Sequence, residues 1–371
     1  MKRRTFLGTA LGGAAGLAAG CEGPKPRVVA AGAGPAVLSG RQVIWRMASS
    51  FPRSLDTIFG GAEVLAERVA AMTDGAFQIR VYPAGELVPG LQVLEAAQQG
   101  TVQVGHTASY YYIGKNPALA FETCVPFGMN ARQQAAWLEE GGGRELMDRR
   151  FADFGVRSFP AGNTGVQMGG WFKREVPDLE SLKGLKMRIP GMGGKVMAAL
   201  GVSVQVLPGG EIFPALERGA IDATEWVGPY DDEKLGFHQA ARYYYYPGWW
   251  EPGPSLAFYV NQVAWDGLPA AYKEVFRTAC GHAAQVMQAR YDARNPGALE
   301  RLLAGGVELR AFSDGLLSGA RDAAQQMVSD AAAADPEYRE VRDHWEAFRR
   351  SSFDWFAKAE LAYARFAFPR G

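Results

Sequence analysis

The chain of 371 residues has little of what usually marks catalysis or metal binding, with three cysteines and four histidines. Beyond the first segment only Cys124 and Cys280 remain, there is no Cys-x-x-Cys, and His106, His238, His282 and His344 show no helical pairing. Neither a zinc cluster nor a redox motif is written here. His106 reads as a structural histidine beside a run of tyrosines. Two buried free thiols are expected, with a Cys124–Cys280 disulfide as the alternative in an oxidising compartment. An excess of one charge is missing too: 39 Lys+Arg balance 39 Asp+Glu, with no basic stripe. That argues against nucleic acid or an anionic membrane as partner and leaves small solutes. Gly-x-Ser-x-Gly, His-Glu-x-x-His, the Rossmann spacing and the P-loop Lys-Ser/Thr are all absent. The glycines of Gly191-Met192-Gly193-Gly194 are therefore read as a turn and not as a phosphate loop.

A bilayer-length apolar stretch is also lacking at the start. Residues 7–20 are Gly/Ala-rich and fall short of the roughly 20 needed to span a membrane. They follow Lys2-Arg3-Arg4-Thr5-Phe6-Leu7, a twin-arginine, so a Tat-type export signal directing the protein to the periplasm is expected. Ala18-Ala19-Gly20-Cys21 resembles a lipobox without its leading Leu, which makes lipidation at Cys21 an alternative. Residues 22–40 are rich in Pro, Gly, Ala and Val and read as a tether or cleavage region, with the folded part beginning near Gln42.

What is present is apolar content of 48%, enough over about 330 mature residues for more than one core. Residues 43–47 read as a strand. In residues 54–72, Leu55, Ile58, Ala62, Leu65, Val69 and Met72 recur at steps of three and four, which predicts an amphipathic helix stopped by Asp74-Gly75. An alternating strand at 77–81, a helix at 91–99 and a strand at 101–105 complete a β-α-β-α-β order and imply a parallel sheet. Asn130 is expected to cap a helix running to about Phe154, with a strand at 156–159 leaving the first lobe. The second half repeats the plan, with strands at 186–189, 202–206 and 221–224 and helices at 194–200 and 211–218. Asp335-Pro336 is an N-cap followed by Pro at the first helical position, so a terminal helix of roughly 30 residues should follow.

Leu182-Lys183-Gly184-Leu185-Lys186-Met187-Arg188-Ile189-Pro190, Leu200-Gly201, and Glu211-Ile212-Phe213-Pro214-Ala215-Leu216-Glu217-Arg218-Gly219-Ala220-Ile221-Asp222-Ala223 resemble blocks of the solute receptors of tripartite ATP-independent periplasmic (TRAP) transporters. Glu225-Trp226 and Trp249-Trp250-Glu251 carry a closer likeness to the branch that binds pyruvate- or lactate-like acids with a metal ion. The resemblance implies an α/β, two-lobed periplasmic-binding-protein-like fold with hinge strands, a ligand in the cleft, TRAP membrane subunits as partners and a homodimer built on the terminal helix. On that basis residues 41–162 with about 252–290 form one lobe, 163–251 with about 291–335 the other, and 336–371 the terminal helix.

Arg188, at the end of a predicted strand, suits either a carboxylate gripped by both guanidinium arms or a lobe–lobe salt bridge; the resemblance favours the carboxylate. By the same resemblance Gln167 offers its carbonyl oxygen to a metal and Asn163 a donor to the substrate. Glu225, Glu251, Gln167 and the Trp226 carbonyl then make a hard-oxygen set suited to Na⁺ or Ca²⁺ and not to zinc. Tyr110 is the phenol chosen to face the substrate, and Gln167, Trp226 and Glu251 are assigned to substrate binding as well as to the metal. Tyr243 to Tyr246 and Trp249-Trp250 are read as part core and part cleft wall, and Phe51 and Trp171 as further wall. The rival reading is an acid–base enzyme acting on small carboxylates through Glu225 and Glu251, which needs one carboxyl protonated near neutral pH.

Overall fold

The computed structural model describes residues 41–368. The twin-arginine segment, Cys21 and the tether lie outside the described residues. Alternation of apolar side chains gives β1 (Val43–Ser49), β2 (Phe77–Tyr82) and β3 (Val104–Thr107), joined by the helices α1 (Ile58–Met72) and α2 (Val93–Gln98). β1 pairs in parallel with both β2 and β3, Val43 facing Phe77 and Met47 facing Val104. The expected β-α-β-α-β unit is present. On α1 the predicted stripe of Ile58, Ala62, Leu65 and Val69 is buried, whereas Met72 at its end is exposed.

After the short α3 (Ala120–Thr123), the single helix expected from Asn130 is two helices, α4 (Ala131–Glu139) and α5 (Gly143–Ala152). The cap itself is as expected: the Asn130 side chain accepts from the Gln133 amide at 3.0 Å, and Gln133 Oε1 accepts from the Asn130 amide at 3.0 Å. The break comes from Gly141-Gly142-Gly143. Gly142 takes φ 82°, and a Cβ on Gly143 would stand 2.6 Å from the Trp137 ring. β4 (Val156–Asn163) then leaves this lobe.

The second sheet takes β5 (Trp171–Phe172), β6 (Lys186–Arg188), β7 (Ser203–Gln205), β8 (Ala223–Thr224) and β9 (Tyr243–Tyr246), with α6 (Gly191–Ala199), α7 (Gly209–Glu217) and α8 (Pro229–Leu235) between them. Its strands β8, β6 and β7 are parallel, with β7 at the edge and Arg188 lying opposite Thr224 and Gln205. The chain returns through β10 (Ser255–Asn261), which inserts antiparallel between β3 and β4 and completes the first sheet in the order β2-β1-β3-β10-β4.

Past the short α9 (Gln262–Asp266), α10 (Ala270–Ala304) is a helix of 35 residues that packs on β4 and α1 and also on α8, so it touches both lobes. β11 (Glu308–Ala311) and α11 (Asp314–Ala334) follow. Asp335 Oδ1 accepts from the amides of Glu337 and Tyr338 at 2.8 and 3.2 Å and starts α12 (Pro336–Phe356), continued by a π-helical turn (Ala357–Leu361) and α13 (Ala362–Ala367). Tyr338, Val341 and Trp345 bury α12 against the first lobe, while Tyr363, Phe366 and Phe368 are exposed. Cys124 and Cys280 are both free and buried.

Candidate functional site

β6 and β8 are parallel neighbours, so their carboxyl ends open on the same edge of the sheet, the edge where α/β sheets present ligand-facing groups. Arg188 ends β6 and Glu225 follows β8, and both are 1% exposed. The Glu225 amide donates to the Arg188 carbonyl at 3.3 Å, and Arg188 Nη1 pairs with Glu225 Oε1. Arg188 Nε donates to the Leu207 carbonyl at 3.0 Å, and its guanidinium lies 5.2 Å from the centre of the Trp226 ring. Gly191, at φ 65°, turns the chain from β6 into α6; a Cβ there would meet the Tyr110 ring at 3.1 Å. The two lobes therefore touch at this turn, and a seam of about 330 Å³ lies between α6 and the segment of Tyr110 and Tyr111.

The remaining site residues come from the two segments that link the sheets. These run side by side: the Gly248 amide donates to the Gln167 carbonyl at 2.9 Å and the Gln167 amide to the Glu251 carbonyl at 3.1 Å. Gln167 and Glu251 are thereby fixed next to one another, each 3% exposed. Tyr110 and Gln167 stand beside the Glu251 carboxyl, and Gln167 Nε2 donates to Thr164 Oγ1 at 3.2 Å. Phe51 closes the first-lobe side, its ring 6.4 Å from that of Trp226 and 5.1 Å from His106.

Burial dominates the electrostatics. It pushes Glu225 up to about 7 although the neighbouring Arg188 pulls it down. Glu251 is pushed further by burial and then by the Glu225 charge. Burial also raises the Tyr110 phenol, with Glu251 adding to it, and lowers His106 to about 3. Five polar atoms in this cluster are buried without a hydrogen-bond partner: Arg188 Nη2, Trp226 Nε1, Glu225 Oε2, Glu251 Oε2 and Gln167 Oε1. Two are donors and three are acceptors. Unpaired buried polar groups are costly, so the cluster is matched to a ligand that brings both an anionic and a cationic partner.

The structure thus brings together Arg188, Gln167, Glu225, Trp226, Glu251 and Tyr110, with Tyr111 beside them. It places Asn163 differently. The Asn163 amide nitrogen donates to the Gly253 carbonyl and its oxygen accepts from the Gly165 amide, both at 2.9 Å, so both ends brace the linking segments. Trp171 lies one layer behind the site, stacked on Tyr244 at 4.0 Å and donating to Asp232 at 3.0 Å. His106 Nδ1 meets Ser49 Oγ at 3.0 Å, as a structural histidine should, while Nε2 is unpartnered.

Two groups escaped the sequence reading. Asp231 and Asp232 are fully buried behind Trp226; Asp232 Oδ1 accepts from the Val227 amide at 3.3 Å, and Asp231 accepts from the Tyr291 hydroxyl at 2.7 Å. As acids following Pro229 they look like an ordinary helix start. Asp56, ahead of α1, accepts from the Tyr230 hydroxyl at 3.1 Å, from Arg294 at 3.2 Å and from Lys234, which ties the first lobe to α8 and α10. A lone acid in a loop carries no signal for that role.

Residues 48–335 match the family described as DctP, bacterial extracellular solute-binding protein, family 7. A monocarboxylate 2-oxoacid-binding periplasmic protein of Nostoc sp. is 54% identical over 99% of both chains. Among solved structures, a TRAP transporter solute-binding protein of Bordetella bronchiseptica, a dimer of mixed occupancy with copurified calcium and picolinate, has a TM-score of 0.88 at 46% identity, covering 89% of this chain and 98% of that one. A TRAP periplasmic solute-binding protein of Pseudoalteromonas atlantica with bound sodium and pyruvate has a TM-score of 0.85 at 40% identity, covering 89% and 100%. With sequence, fold and two-lobe arrangement in agreement, the chain belongs to the bacterial extracellular solute-binding protein family 7, the extracytoplasmic solute receptors of TRAP transporters.

Proposed function

We propose that this receptor binds a small 2-oxo or 2-hydroxy monocarboxylate of pyruvate or lactate size together with Na⁺ or Ca²⁺ and delivers it to a TRAP permease. The observation that carries this reading is the buried unpaired set: Arg188 Nη2 for a carboxylate, and Glu225 Oε2, Glu251 Oε2 and Gln167 Oε1 for a hard cation. The donor set fits such a cation, since it offers only oxygens, and among the described residues no cluster of three or more His, Cys, Asp or Glu offers a softer alternative. Charge supports it as well. Two buried carboxylates against one guanidinium leave a net negative site, and an organic anion adds to that charge. The assembly becomes neutral with Ca²⁺, or with Na⁺ and one proton on a carboxyl. When bound, the cation would supply a positive centre for the acid's carboxylate and 2-oxygen, held by Gln167, Glu225, the Trp226 carbonyl and Glu251.

The chain's own residues do the rest. Arg188 fixes the carboxylate, Tyr110 donates from the first lobe, and Phe51 and Trp226 exclude water, which strengthens every polar contact inside. The linking segments allow closure, and the Asp56 contacts with Lys234, Tyr230 and Arg294 fasten it. Closure driven by the ligand's preference for the closed state is the signal a permease would read. Support from relatives comes from the Nostoc protein's 2-oxoacid name and from the sodium with pyruvate in the Pseudoalteromonas structure. We further assign the twin-arginine segment to Tat export, with a cleaved signal as the main reading and lipidation at Cys21 as its alternative, and the lobes to 41–162 with about 252–290 and 163–251 with about 291–335. The exposed aromatic end of the terminal helix is assigned to a homodimer; light scattering should give a dimer for the full chain and a monomer for Tyr363→Ser/Phe366→Ser, and a wild-type monomer would overturn this.

Calorimetry with pyruvate, lactate and succinate tests the main reading. Tight binding of the first two, and weak binding of the dicarboxylate, is the expected result. Absence of binding by all three overturns it, and steady turnover of any of them would instead favour Glu225 and Glu251 as an acid–base pair.

A further inference from the structure

A crevice of about 300 Å³ lies between α11 and α12. Arg342, Trp345, Glu346 and Arg349 line one side at steps of three and four along α12, so they share one helix face; Arg321 of α11 and Phe127 stand across from them. Three guanidinium groups thus meet a single carboxylate. Arg321 has no ion pair among the described residues and touches only Ser318 Oγ, at 3.4 Å. Arg342 meets Asp343 at 2.5 Å through Nε alone, and that aspartate is exposed. Arg349 donates through Nη2 to the Phe127 carbonyl at 3.0 Å, while its Nε is buried without a partner. Trp345, 3% exposed, has its indole N–H buried and unpartnered as well. Like charges converging on unsatisfied donors form a site whose missing component is an anion.

We propose that this crevice is a second binding site, for a small oxyanion of the phosphate type. Three arginines against Glu346 and the exposed Asp343 leave a net positive charge, which suits an anion, and tetrahedral oxygens reach donors arriving from two helices. The site bears on the acid cleft through Phe127. This residue sits at φ 55°, rare for a bulky side chain, with its amide donating to the Trp249 carbonyl at 2.8 Å and its ring stacked on Trp249 at 5.1 Å. Trp249 lies two residues before Glu251. An anion that draws Arg349 toward itself therefore acts on the segment that carries Glu251.

Isothermal titration with inorganic phosphate, in sodium buffer without calcium, tests the proposal. Wild type should bind one phosphate per chain with saturation, and should still bind it when pyruvate is present in excess, with an affinity that pyruvate shifts by the same factor as phosphate shifts that of pyruvate. Arg321→Gln/Arg342→Gln, at one exposed and one half-buried position, should lose at least about tenfold in phosphate affinity, while its pyruvate affinity measured without phosphate stays at the wild-type value. Absence of saturable binding at millimolar phosphate, displacement of phosphate by pyruvate, or full retention in the double variant would each overturn it. The phosphate titration does not depend on whether pyruvate is the solute, so the two readings fail separately.

Discussion

Replacing Arg188 with Gln removes the one cationic side chain at the centre of the cluster and keeps a polar group of similar reach. The guanidinium is 1% exposed and carries the unpaired Nη2 assigned to the acid's carboxylate. Truncating one member of a buried charge pair costs about 2–5 kcal/mol, which is roughly a 30- to 4,000-fold weaker pyruvate Kd. A second effect falls on the fold. Glu225 loses the neighbour that holds it at about 7, so its carboxyl rises further and takes a proton more readily. A raised folded pKa means stability present at low pH and lost as pH climbs through that value. Arg188→Gln should therefore be near wild type in denaturation at pH about 5.5 and roughly 1 kcal/mol weaker at pH about 8, since the two curves part only above the wild-type value of about 7. Calorimetric titration with pyruvate at the lower pH isolates the binding loss in a folded variant. Pyruvate affinity within about twofold of wild type there would refute the placement of the carboxylate on Arg188.

Asp56→Asn weakens the contacts with Lys234 and Arg294 that join the first lobe to α8 and α10. These groups are partly exposed, so stopped-flow release of pyruvate should quicken only about two- to fivefold at low salt, and the difference should fade in concentrated salt; an unchanged release rate would count against the latch. Glu122, buried and accepting from Arg144 at 3.3 Å and Tyr259 at 3.2 Å, is pushed by burial from 4.5 up to about 7. Relative to Glu122→Gln, wild type should lose roughly 3 kcal/mol as pH rises from about 4.5 to 7, read from denaturant midpoints, and parallel pH curves would contradict it.

Arg188 and Glu225 were legible because strand alternation ends at each of them, and neighbouring parallel strands necessarily open on one edge. The terminal helix was legible from Asp335-Pro336 and from the lack of Gly or Pro between there and Pro369. The pairing of Gln167 with Glu251 has no local pattern, since it depends on two distant segments lying in register, and only the family resemblance suggested it. No expectation was drawn from the sequence for the helix at 270–304, which carries Pro296 inside it; Tyr291 before the proline and Ala298 and Leu302 after it are buried and hold it together. Gly141-Gly142-Gly143 is a visible glycine run that helical periodicity hid. Asn163 was assigned to the substrate on resemblance, and its amide is engaged at both ends by backbone.

The account rests on an acid and a cation occupying one cluster together. In a sodium-free buffer with chelator, followed by Na⁺ or Ca²⁺ added back, pyruvate affinity should rise by roughly 5- to 150-fold, and pyruvate should tighten cation binding by the same factor. Equal pyruvate affinity with and without the cation would contradict it.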